Sequence, residues 1–242
     1  MKSFQSQIPE PDFNGGTTDV DVYYLTELPE LSKEQQIKAE HCLDHKERQR
    51  YEKMVRPIQK KMFLVARYVT KNLLATHLKC EPKDVLFQYS ANGKPKLIVD
   101  KGVHFNLSHS GSSLALAISS QNVGVDIESF TTLQRLLDTP ELYINQDAAS
   151  EIKKQSSKWH KAYVAARYWT TLEALVKLKD SSVFKLRNGL TLKNIKPDLS
   201  TDEFALDAHK ASYKLLNYRM LVTAVSECLS PNYRYFQIRM FD

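Results

Sequence analysis

The alternation of apolar and polar residues along the chain predicts strands and helices in separate groups. Runs of period two predict a first strand at 20–25 and two closing strands at 218–226 and 233–240. Apolar residues at helical spacing predict one helix after Pro57 and a second, long helix over 157–178. Strands toward both ends with helices between them predict an α+β protein.

Two hairpins are predicted between those helices. The first joins a strand at 85–90 to a short strand at 95–99 through the turn pair Asn92-Gly93. The second joins the apolar run at 114–119 to the strand VGVDIE at 123–128. The resulting order of strand, helices, hairpins, helices and strands fits two compact halves that meet near residues 100–105.

These elements divide the chain into a tail and two halves. Residues 1–18 mix prolines and glycines with polar residues, so we expect a loosely held tail. Ser32, with Gln35 three positions later, forms a capping-box pattern that predicts the start of a helix. We place an N-terminal α+β half at 19–103 and a C-terminal half, which carries the acidic motifs, at 104–242. No internal repeat is visible by residue identity.

Composition excludes several classes of protein. The 242 residues are 42% hydrophobic and 26% charged, which is the ordinary balance for a globular protein. No apolar run reaches membrane-spanning length, and the first residues lack the apolar stretch of a secretory signal. The three cysteines are widely spaced and predict neither a metal knuckle nor a disulfide framework. We therefore expect a cytoplasmic protein with no membrane partner.

The net charge of +6 favours acidic partners. These can be nucleic acid, an anionic membrane surface, a phosphorylated cofactor or an acidic protein, and charge alone does not choose among them. Basic residues cluster at 46–61, KERQRYEKMVRPIQKK, just before an apolar helical segment. The cluster is either a solvated helix face or part of an anion site. The sequence shows no interleaving of basic and aromatic residues in the pattern of a recognisable nucleic-acid-binding module, so we expect no nucleic-acid partner.

An acidic pair closes the apolar strand at 123–128. Asp126 and Glu128 are two positions apart, so their side chains leave one face of the strand, about 7 Å apart along the backbone. Carboxylates at that spacing suit magnesium, which binds one or two of them together with substrate phosphates. The alternative is a solvated acidic face, and the DVDV run at 19–22 has the same alternation without evident chemistry.

The long helix offers a third acid. Trp169, Glu173 and Lys177 recur every four residues and therefore share roughly one helix face. A glutamate that completes a metal shell and a lysine that meets phosphate oxygens are what a phosphate-handling site requires. The alternative is a surface ion pair of about 0.2–0.5 kcal/mol.

Ser108 and His109 precede the acidic strand in the order Ser-His-Ser. Residues adjacent in sequence seldom reach the geometry of a nucleophilic triad, and no G-x-S-x-G elbow surrounds this serine. A hydroxyl and an imidazole at a strand end can hydrogen-bond a phosphate. They can equally be a capping serine and a satisfied histidine.

Taken together and in order, four segments resemble the Sfp-type 4′-phosphopantetheinyl transferase family. They are GKPKL at 93–97, FNLSHSG at 105–111, VGVDIE at 123–128 and the pattern W-x-x-x-E-A-x-x-K at 169–177. The resemblance implies two similar α+β halves related by a pseudo-twofold axis in a monomer, with coenzyme A between the halves. It also implies transfer of the phosphopantetheine arm of coenzyme A to a serine of an acidic apo carrier protein, which releases adenosine 3′,5′-bisphosphate.

The resemblance implies catalytic and metal roles for four residues. Asp126, Glu128 and Glu173 would hold Mg²⁺, or Mn²⁺, against the diphosphate. Glu173, or a water that it orients, would be the base for the incoming hydroxyl. Lys177 would neutralise or protonate the leaving phosphate, and Asp126 would contribute to catalysis as a ligand of the metal.

The resemblance also implies a set of residues that bind coenzyme A. Ser108 and His109 would contact its phosphates, with His109 near the 3′-phosphate. Three residues of the turn would border the adenine side: Gly93, Lys94 and Pro95. Three residues of the basic cluster would contact the 3′-phosphate: Lys61, Lys46 and Arg48.

Two departures from the family pattern leave an alternative open. Leu172 stands where the family usually has a lysine, and glycines that often follow the helix lysine are absent until Gly189. A noncatalytic protein that binds coenzyme A or a carrier protein is therefore the second hypothesis. The first departure bears on phosphate binding and the second on the loop after the helix.

Overall fold

The computed structural model describes most of the chain. The described residues are 19–99, 101–187, 195, 203–206, 208–228 and 230–238. The predicted tail at 1–18, Gly189 and the end of the last predicted strand, 239–240, lie outside them.

The described residues form seven α-helices and ten strands, which confirms the α+β class. The helices are α1 (Lys33–His41), α2 (His45–Glu52), α3 (Pro57–Leu78), α4 (Gln134–Asp138), α5 (Gln146–Lys154), α6 (Lys158–Leu178) and α7 (Val183–Leu186). The strands are β1 (Asp19–Leu25), β2 (Phe87–Tyr89), β3 (Pro95–Leu97), β4 (His104–Ser110), β5 (Ser113–Ser119), β6 (Val123–Ser129), β7 (Glu203–Leu206), β8 (His209–Leu216), β9 (Met220–Ser226) and β10 (Asn232–Gln237). Within this part of the chain, none of the helices combines the length and apolar character of a membrane span.

The predicted helix starts are confirmed. Ser32 Oγ accepts from Gln35 N at 3.2 Å, and Gln35 Oε1 accepts from Ser32 N at 2.7 Å, so the capping box at α1 is complete. Helix α3 begins at Pro57, whose fixed φ suits a first helical position. Ser157 caps α6 by accepting from the backbone N–H of His160 at 3.0 Å.

Two four-stranded sheets pack face to face between the two longest helices. Their orders are β10-β1-β5-β4 and β6-β9-β8-β7, and β2 and β3 form a separate small sheet. Strand β10 is parallel to β1, and the other pairings are antiparallel. Small and aliphatic residues such as Val22, Ala117, Val125 and Val222 fill the space between the sheets. Helix α3 covers the outer face of the first sheet, and α6 covers that of the second.

The two halves repeat one topology. In each half a first strand leads to a long helix and then a hairpin, and the last strand of that hairpin pairs with the first strand: β1, α3, β4-β5 and β6, α6, β8-β9. The two helices carry ARYVT at 66–70 and ARYWT at 166–170, which agree at four of five positions. The prediction that identity shows no repeat is therefore wrong.

The repeated arginines have the same packing role. Arg67 lies over the ring of Phe63, one turn earlier, at 5.1 Å from the ring centroid, and Arg167 lies over Tyr163 at 5.7 Å. Arg167 also stacks on Tyr213 of β8 at 4.3 Å. Guanidinium groups tolerate such burial because their flat faces pack on aromatic rings.

The predicted hairpin of 114–119 with 123–128 is wrong. Strand β5 pairs with β4 and β1, whereas β6 pairs with β9 in the other sheet. The hairpin turn lies one strand earlier, where Gly111 adopts a φ of +59° in a two-residue loop between Ser110 and Ser113. A glycine at the first loop position is the usual signal for such a turn.

The sheets assign residues 104–119 to the N-terminal strands. Strands β4 and β5 share a sheet with β1, and the chain enters the second sheet only at β6. The domain boundary between 103 and 104 stays a prediction. The chain passes from the first sheet to the second between Ser119 and Val123, and it returns to the first sheet at β10.

Gly124 lets α6 contact β6 backbone to backbone. A Cβ atom at this position would lie 1.9 Å from the carbonyl oxygen of Ala174 and 2.7 Å from the backbone nitrogen of Leu178. Both of those atoms belong to the helix backbone and cannot rotate away. The helix therefore lies as close to the strand as it does only because residue 124 has no side chain.

We expect Gly124→Ala to lower the free energy of unfolding by about 1–3 kcal/mol, because the helix must move away from the strand. Thermal unfolding would show a drop of about 2–4 °C per kcal/mol for a protein of this size. Gly102→Ala is the matched control. Residue 102 has a φ of +67° but open space around a Cβ, so only backbone strain is added there. An equal or larger loss in the control would contradict the importance of the helix contact.

Candidate active site

The site lies where β4 and β6, edge strands of different sheets, run side by side. Ser108 Oγ donates to Asp126 Oδ1 at 2.7 Å, and Ser110 Oγ donates to Glu128 Oε2 at 2.7 Å. The two serines and the two acids each recur at a spacing of two, so a single face of each strand is involved. The expected common face of Asp126 and Glu128 is present, while Val125 lies in the core between the sheets.

A third side chain of β4 extends this contact. Asn106 Oδ1 accepts from the backbone nitrogen of Val125 at 2.9 Å. Asn106 is buried, and its amide takes the place that a neighbouring strand would occupy at this edge. The two sheets are thereby held in register beside the acidic pair.

Helix α6 brings Lys177 to the acidic pair. Lys177 Nζ donates to Asp126 Oδ1 at 2.6 Å and to Ser108 Oγ at 2.8 Å. Asp126 is 4% exposed, and its second oxygen, Oδ2, is buried without a hydrogen-bond partner among the described residues. Glu173 lies one turn before Lys177 on the same helix and is partly exposed.

The pKa values of Glu128 and Glu173 both respond to the charges of Asp126 and Lys177. Burial raises the pKa of Glu173, the charges of Asp126 and Glu128 raise it further, and Lys177 opposes them. Burial also raises the pKa of Glu128, against the hydrogen bonds from Thr132 and Ser110 that lower it. Segments far apart in the sequence thus concentrate negative charge at one place.

The carboxylates of Asp126, Glu128 and Glu173 are of the chemical type that binds a hard divalent cation. Three carboxylates are the oxygen ligands that magnesium prefers, and the partnerless Oδ2 of Asp126 has a free acceptor position. Within the described ranges, however, no three Asp, Glu, His or Cys side chains are gathered closely enough to hold an ion as they stand. Lys177 supplies the positive charge at Asp126 in this arrangement.

A groove of about 530 Å³ opens beside the site. His109 and Gly111 form part of its wall, and Arg50, Ile58 and Phe63 lie among the residues opposite. Partial burial lowers the pKa of His109, and the nearby Lys177 lowers it further. The groove therefore joins the predicted phosphate-binding histidine to the basic segment at 46–61.

Arg50 is one of four basic residues of that segment for which no binding role was predicted, and it is the one that lines the groove. Its guanidinium carbon lies 5.3 Å from the centroid of Phe63, and it forms no ion pair with another described residue. Arg67, the second guanidinium of the groove, is instead bound to Glu47 at 2.9 Å and to the Tyr89 hydroxyl at 2.9 Å. Arg50 thus keeps donors for an anion, whereas Arg67 is held by the fold.

The three residues of the basic segment that were predicted to contact the 3′-phosphate lie elsewhere on the same helices. Lys46 is exposed on α2, and Arg48 Nη2 donates to the carbonyl of Glu40 at 2.7 Å. Lys61 Nζ pairs with Glu30 at 2.5 Å. The lining of the 530 Å³ groove, as far as the described residues form it, does not include these three side chains. Their binding roles stay predictions.

The turn that carries Gly93, Lys94 and Pro95 lies at a second groove of about 370 Å³, which Lys94, Pro95 and Asn122 line. Gly93 has a φ of +83°, so the turn needs a residue without a Cβ there. Lys94 Nζ donates to Asn122 Oδ1 at 3.1 Å and to the carbonyl of Leu178 at 3.4 Å. Burial lowers the pKa of Lys94 to about 8.

Leu172 does not face the site. Its side chain is fully buried in the core cluster on the inner side of α6, beside Leu175 and Leu221. A lysine at this position would have to reach the groove from inside that core. The departure at Leu172 therefore leaves the face that carries Glu173 and Lys177 unchanged.

The chain is similar to several known proteins over part of its length. The family profile described as "4'-phosphopantetheinyl transferase, N-terminal" matches residues 30–121. The 4'-phosphopantetheinyl transferase HetI of Nostoc sp. (strain PCC 7120) is 28% identical over 140 residues, which are 54% of this chain and 56% of HetI. The 4'-phosphopantetheinyl transferase psf-1 of Bacillus pumilus is 30% identical over 101 residues, or 42% of each protein.

A third relative has the same name and a similar extent. The 4'-phosphopantetheinyl transferase gsp of Aneurinibacillus migulanus is 28% identical over 114 residues, 47% of this chain and 46% of gsp. The chain thus spans about half the length of the relatives that it matches. These similarities confirm the resemblance predicted from the four sequence segments, which is to the 4′-phosphopantetheinyl transferase family.

Proposed function

We propose that this protein is a 4′-phosphopantetheinyl transferase. Its substrates would be coenzyme A and a serine of an acidic apo carrier protein, and its products holo carrier protein and adenosine 3′,5′-bisphosphate. The observation that carries the proposal is the contact between Lys177 of α6 and Asp126 of β6. The pKa values of Glu128 and Glu173 are shifted by the charges of these same two residues. The names of the three relatives support the same activity.

Glu173 has the properties of a general base. Its raised pKa makes the carboxylate a better proton acceptor than a solvated glutamate, and its partial exposure leaves it accessible to a substrate hydroxyl. The carrier serine would give its proton to Glu173, directly or through a water, as its oxygen attacks the β-phosphorus. Mg²⁺ or Mn²⁺, held by Asp126, Glu128 and Glu173, would supply Lewis-acid stabilisation of the diphosphate when bound.

Lys177 would act on the leaving phosphate. Its ammonium group is bound to Asp126 and Ser108, so its position is fixed before the substrate arrives. As negative charge grows on the departing oxygen, the ammonium can neutralise it or donate a proton to it. His109, with its lowered pKa, would contact coenzyme A as a neutral hydrogen-bonding group at neutral pH.

The charge and the cysteines of the chain bear on its partners and its location. The net charge of +6 favours encounter with polyanionic coenzyme A and with an acidic carrier protein. Three free cysteines at positions 42, 80 and 228 support a cytoplasmic location. We propose a monomer, because β4 of one sheet, β6 of the other sheet and α6, all from a single chain, together build the candidate site.

The direct test is transfer to a panel of apo carrier proteins with coenzyme A and magnesium, followed by intact-mass measurement. We expect one carrier to gain the mass of a single phosphopantetheine arm. Omission of magnesium and chelation of trace metal provide the control. Binding of coenzyme A without an adduct on any carrier would favour the noncatalytic alternative.

We expect Glu173→Gln to abolish transfer nearly completely and to stabilise the metal-free protein. Because the pKa of Glu173 is raised in the folded state, the folded wild type holds this proton more tightly than the unfolded chain, so its stability falls as pH rises above about 4.5. The advantage of the variant in melting temperature, measured in chelator, should therefore grow from acidic to neutral pH. A constant difference at all pH values would contradict this charge environment.

We expect Arg50→Ala to weaken binding of coenzyme A about tenfold but to leave 3′-dephospho-coenzyme A nearly unaffected, because one charge-assisted phosphate contact is removed. Calorimetric titration of both ligands measures the difference. Lys61→Ala removes a cation outside the groove and is the matched control. Equal loss for both ligands in Arg50→Ala would exclude the contact, and a selective loss in Lys61→Ala would assign it to Lys61.

A further inference from the structure

Helix α6 ends in a left-handed residue that is not glycine. Ser181 N donates to the carbonyl of Val176 at 3.0 Å, the bond that closes a Schellman motif, and Asp180 occupies its left-handed position with a φ of +48°. Glycine is the usual residue there because a Cβ atom strains that conformation. The chain therefore carries a carboxylate where local geometry favours no side chain.

Asp180 binds the turn that joins β2 to β3. Ser90 Oγ donates to Asp180 Oδ1 at 2.9 Å, and Asn92 Nδ2 donates to the carbonyl of Asp180 at 2.7 Å. These contacts join residues that are 90 and 88 positions apart in the sequence. Lys96 Nζ is 3.8 Å from the carboxylate and largely exposed, so it adds little.

Ser90 hydrogen-bonds to other residues of the turn as well as to Asp180. The same hydroxyl that donates to Asp180 accepts from the backbone nitrogen of Lys94 at 3.1 Å. Ser90 also pairs with Lys94 and Gly93 through its backbone, at 3.0 and 2.9 Å. The carboxylate thus fixes the orientation of a hydroxyl that itself closes the turn.

A second set of contacts lies two residues earlier on the helix. The carbonyl of Leu178 accepts from Asn122 Nδ2 at 3.0 Å and from Lys94 Nζ at 3.4 Å. The side chain of Lys94 therefore contacts the end of α6, and the backbone of Lys94 contacts Ser90. Leu178 follows Lys177 directly, so the turn is bound to the helix end beside a catalytic candidate.

We propose that Asp180 is a positioning residue that locks the 90–94 turn to the C-terminal end of α6. The lock holds the turn with Gly93 and Lys94, which would bind coenzyme A, at a fixed place relative to Glu173 and Lys177. This inference rests on the proposed function for its consequence in catalysis. The contact itself is independent of that function, because it is made within the chain alone.

Because the backbone at residue 180 is strained, a role of Asp180 in positioning the turn can be distinguished by experiment from a role in stabilising the fold. Replacement of Asp180 by glycine removes a hydrogen-bonded carboxylate but also relieves an unfavourable backbone conformation. The two effects oppose each other in the free energy of unfolding, whereas only the first affects the turn. Stability and turn order should therefore respond differently to the same substitution.

The test compares Asp180→Gly, Asp180→Asn and Ser90→Ala with a matched control, Lys79→Gly. Lys79 ends α3 in the same left-handed conformation, with a φ of +53°, so its replacement relieves similar strain without a lock. Hydrogen exchange of the amides of residues 90–98, melting temperature, and the dissociation constant of coenzyme A are measured for each protein.

For Asp180→Gly we expect at least about tenfold faster exchange of the Gly93 and Lys94 amides, about tenfold weaker binding of coenzyme A, and a melting temperature within about 2 °C of wild type. Ser90→Ala should repeat the change in exchange, and the double variant should add nothing to it. Asp180→Asn keeps an acceptor oxygen and should stay close to wild type. Lys79→Gly should change neither exchange in the turn nor binding.

Two results would overturn the inference. One is unchanged hydrogen exchange of the turn amides in Asp180→Gly, which would show that Asp180 does not lock the turn, whatever the protein catalyses. The other is faster exchange with unchanged affinity for coenzyme A and unchanged transfer, which would leave a contact without a positioning role. If the wild type neither binds coenzyme A nor modifies a carrier, the proposed function fails, while the exchange measurement still decides whether the lock exists.

Discussion

The backbone contact between β6 and α6 is the constraint on which the candidate site depends. Gly124 lies against the carbonyl of Ala174, so the strand and the helix are as close as their backbones allow. Asp126 is two residues further along the strand, and Lys177 is one turn further along the helix. The 2.6 Å ion pair between them follows from that approach. A bulkier residue at 124 would separate the carboxylates of the strand from the side chains of the helix.

The second constraint is that two sheet edges meet without pairing. An exposed edge strand carries free backbone groups that invite association with other chains. Here Asn106, Ser108 and Ser110 of β4 cover the edge of β6 with side-chain hydrogen bonds, and Asn106 satisfies a backbone N–H directly. The same side chains orient the acids. One set of bonds thus closes the sheet edges and prepares the site.

The sequence predicted what local periodicity determines and missed what depends on partners distant along the chain. Period two placed Asp126 and Glu128 on one strand face, and helical spacing placed Glu173 and Lys177 on one face of the long helix that is α6. Periodicity does not show which strand lies beside another. The prediction therefore paired β5 with β6, although these two strands belong to different sheets. Likewise, seven basic residues lie in 46–61, and only the fold shows that Arg50 faces the groove.

Charge at the end of α6 explains why cations gather there. The last carbonyls of a helix carry partial negative charge, and here that end adjoins Asp126, Glu128 and Glu173. Lys177 pairs with one of these acids, and Lys94 donates to the carbonyl of Leu178. Burial raises the pKa values of Glu128 and Glu173, the charge of Asp126 raises them further, and the charge of Lys177 opposes both effects. Further positive charge placed at this end of the helix would lower both pKa values and stabilise the folded protein, which is the electrostatic condition for binding a divalent cation together with a polyphosphate.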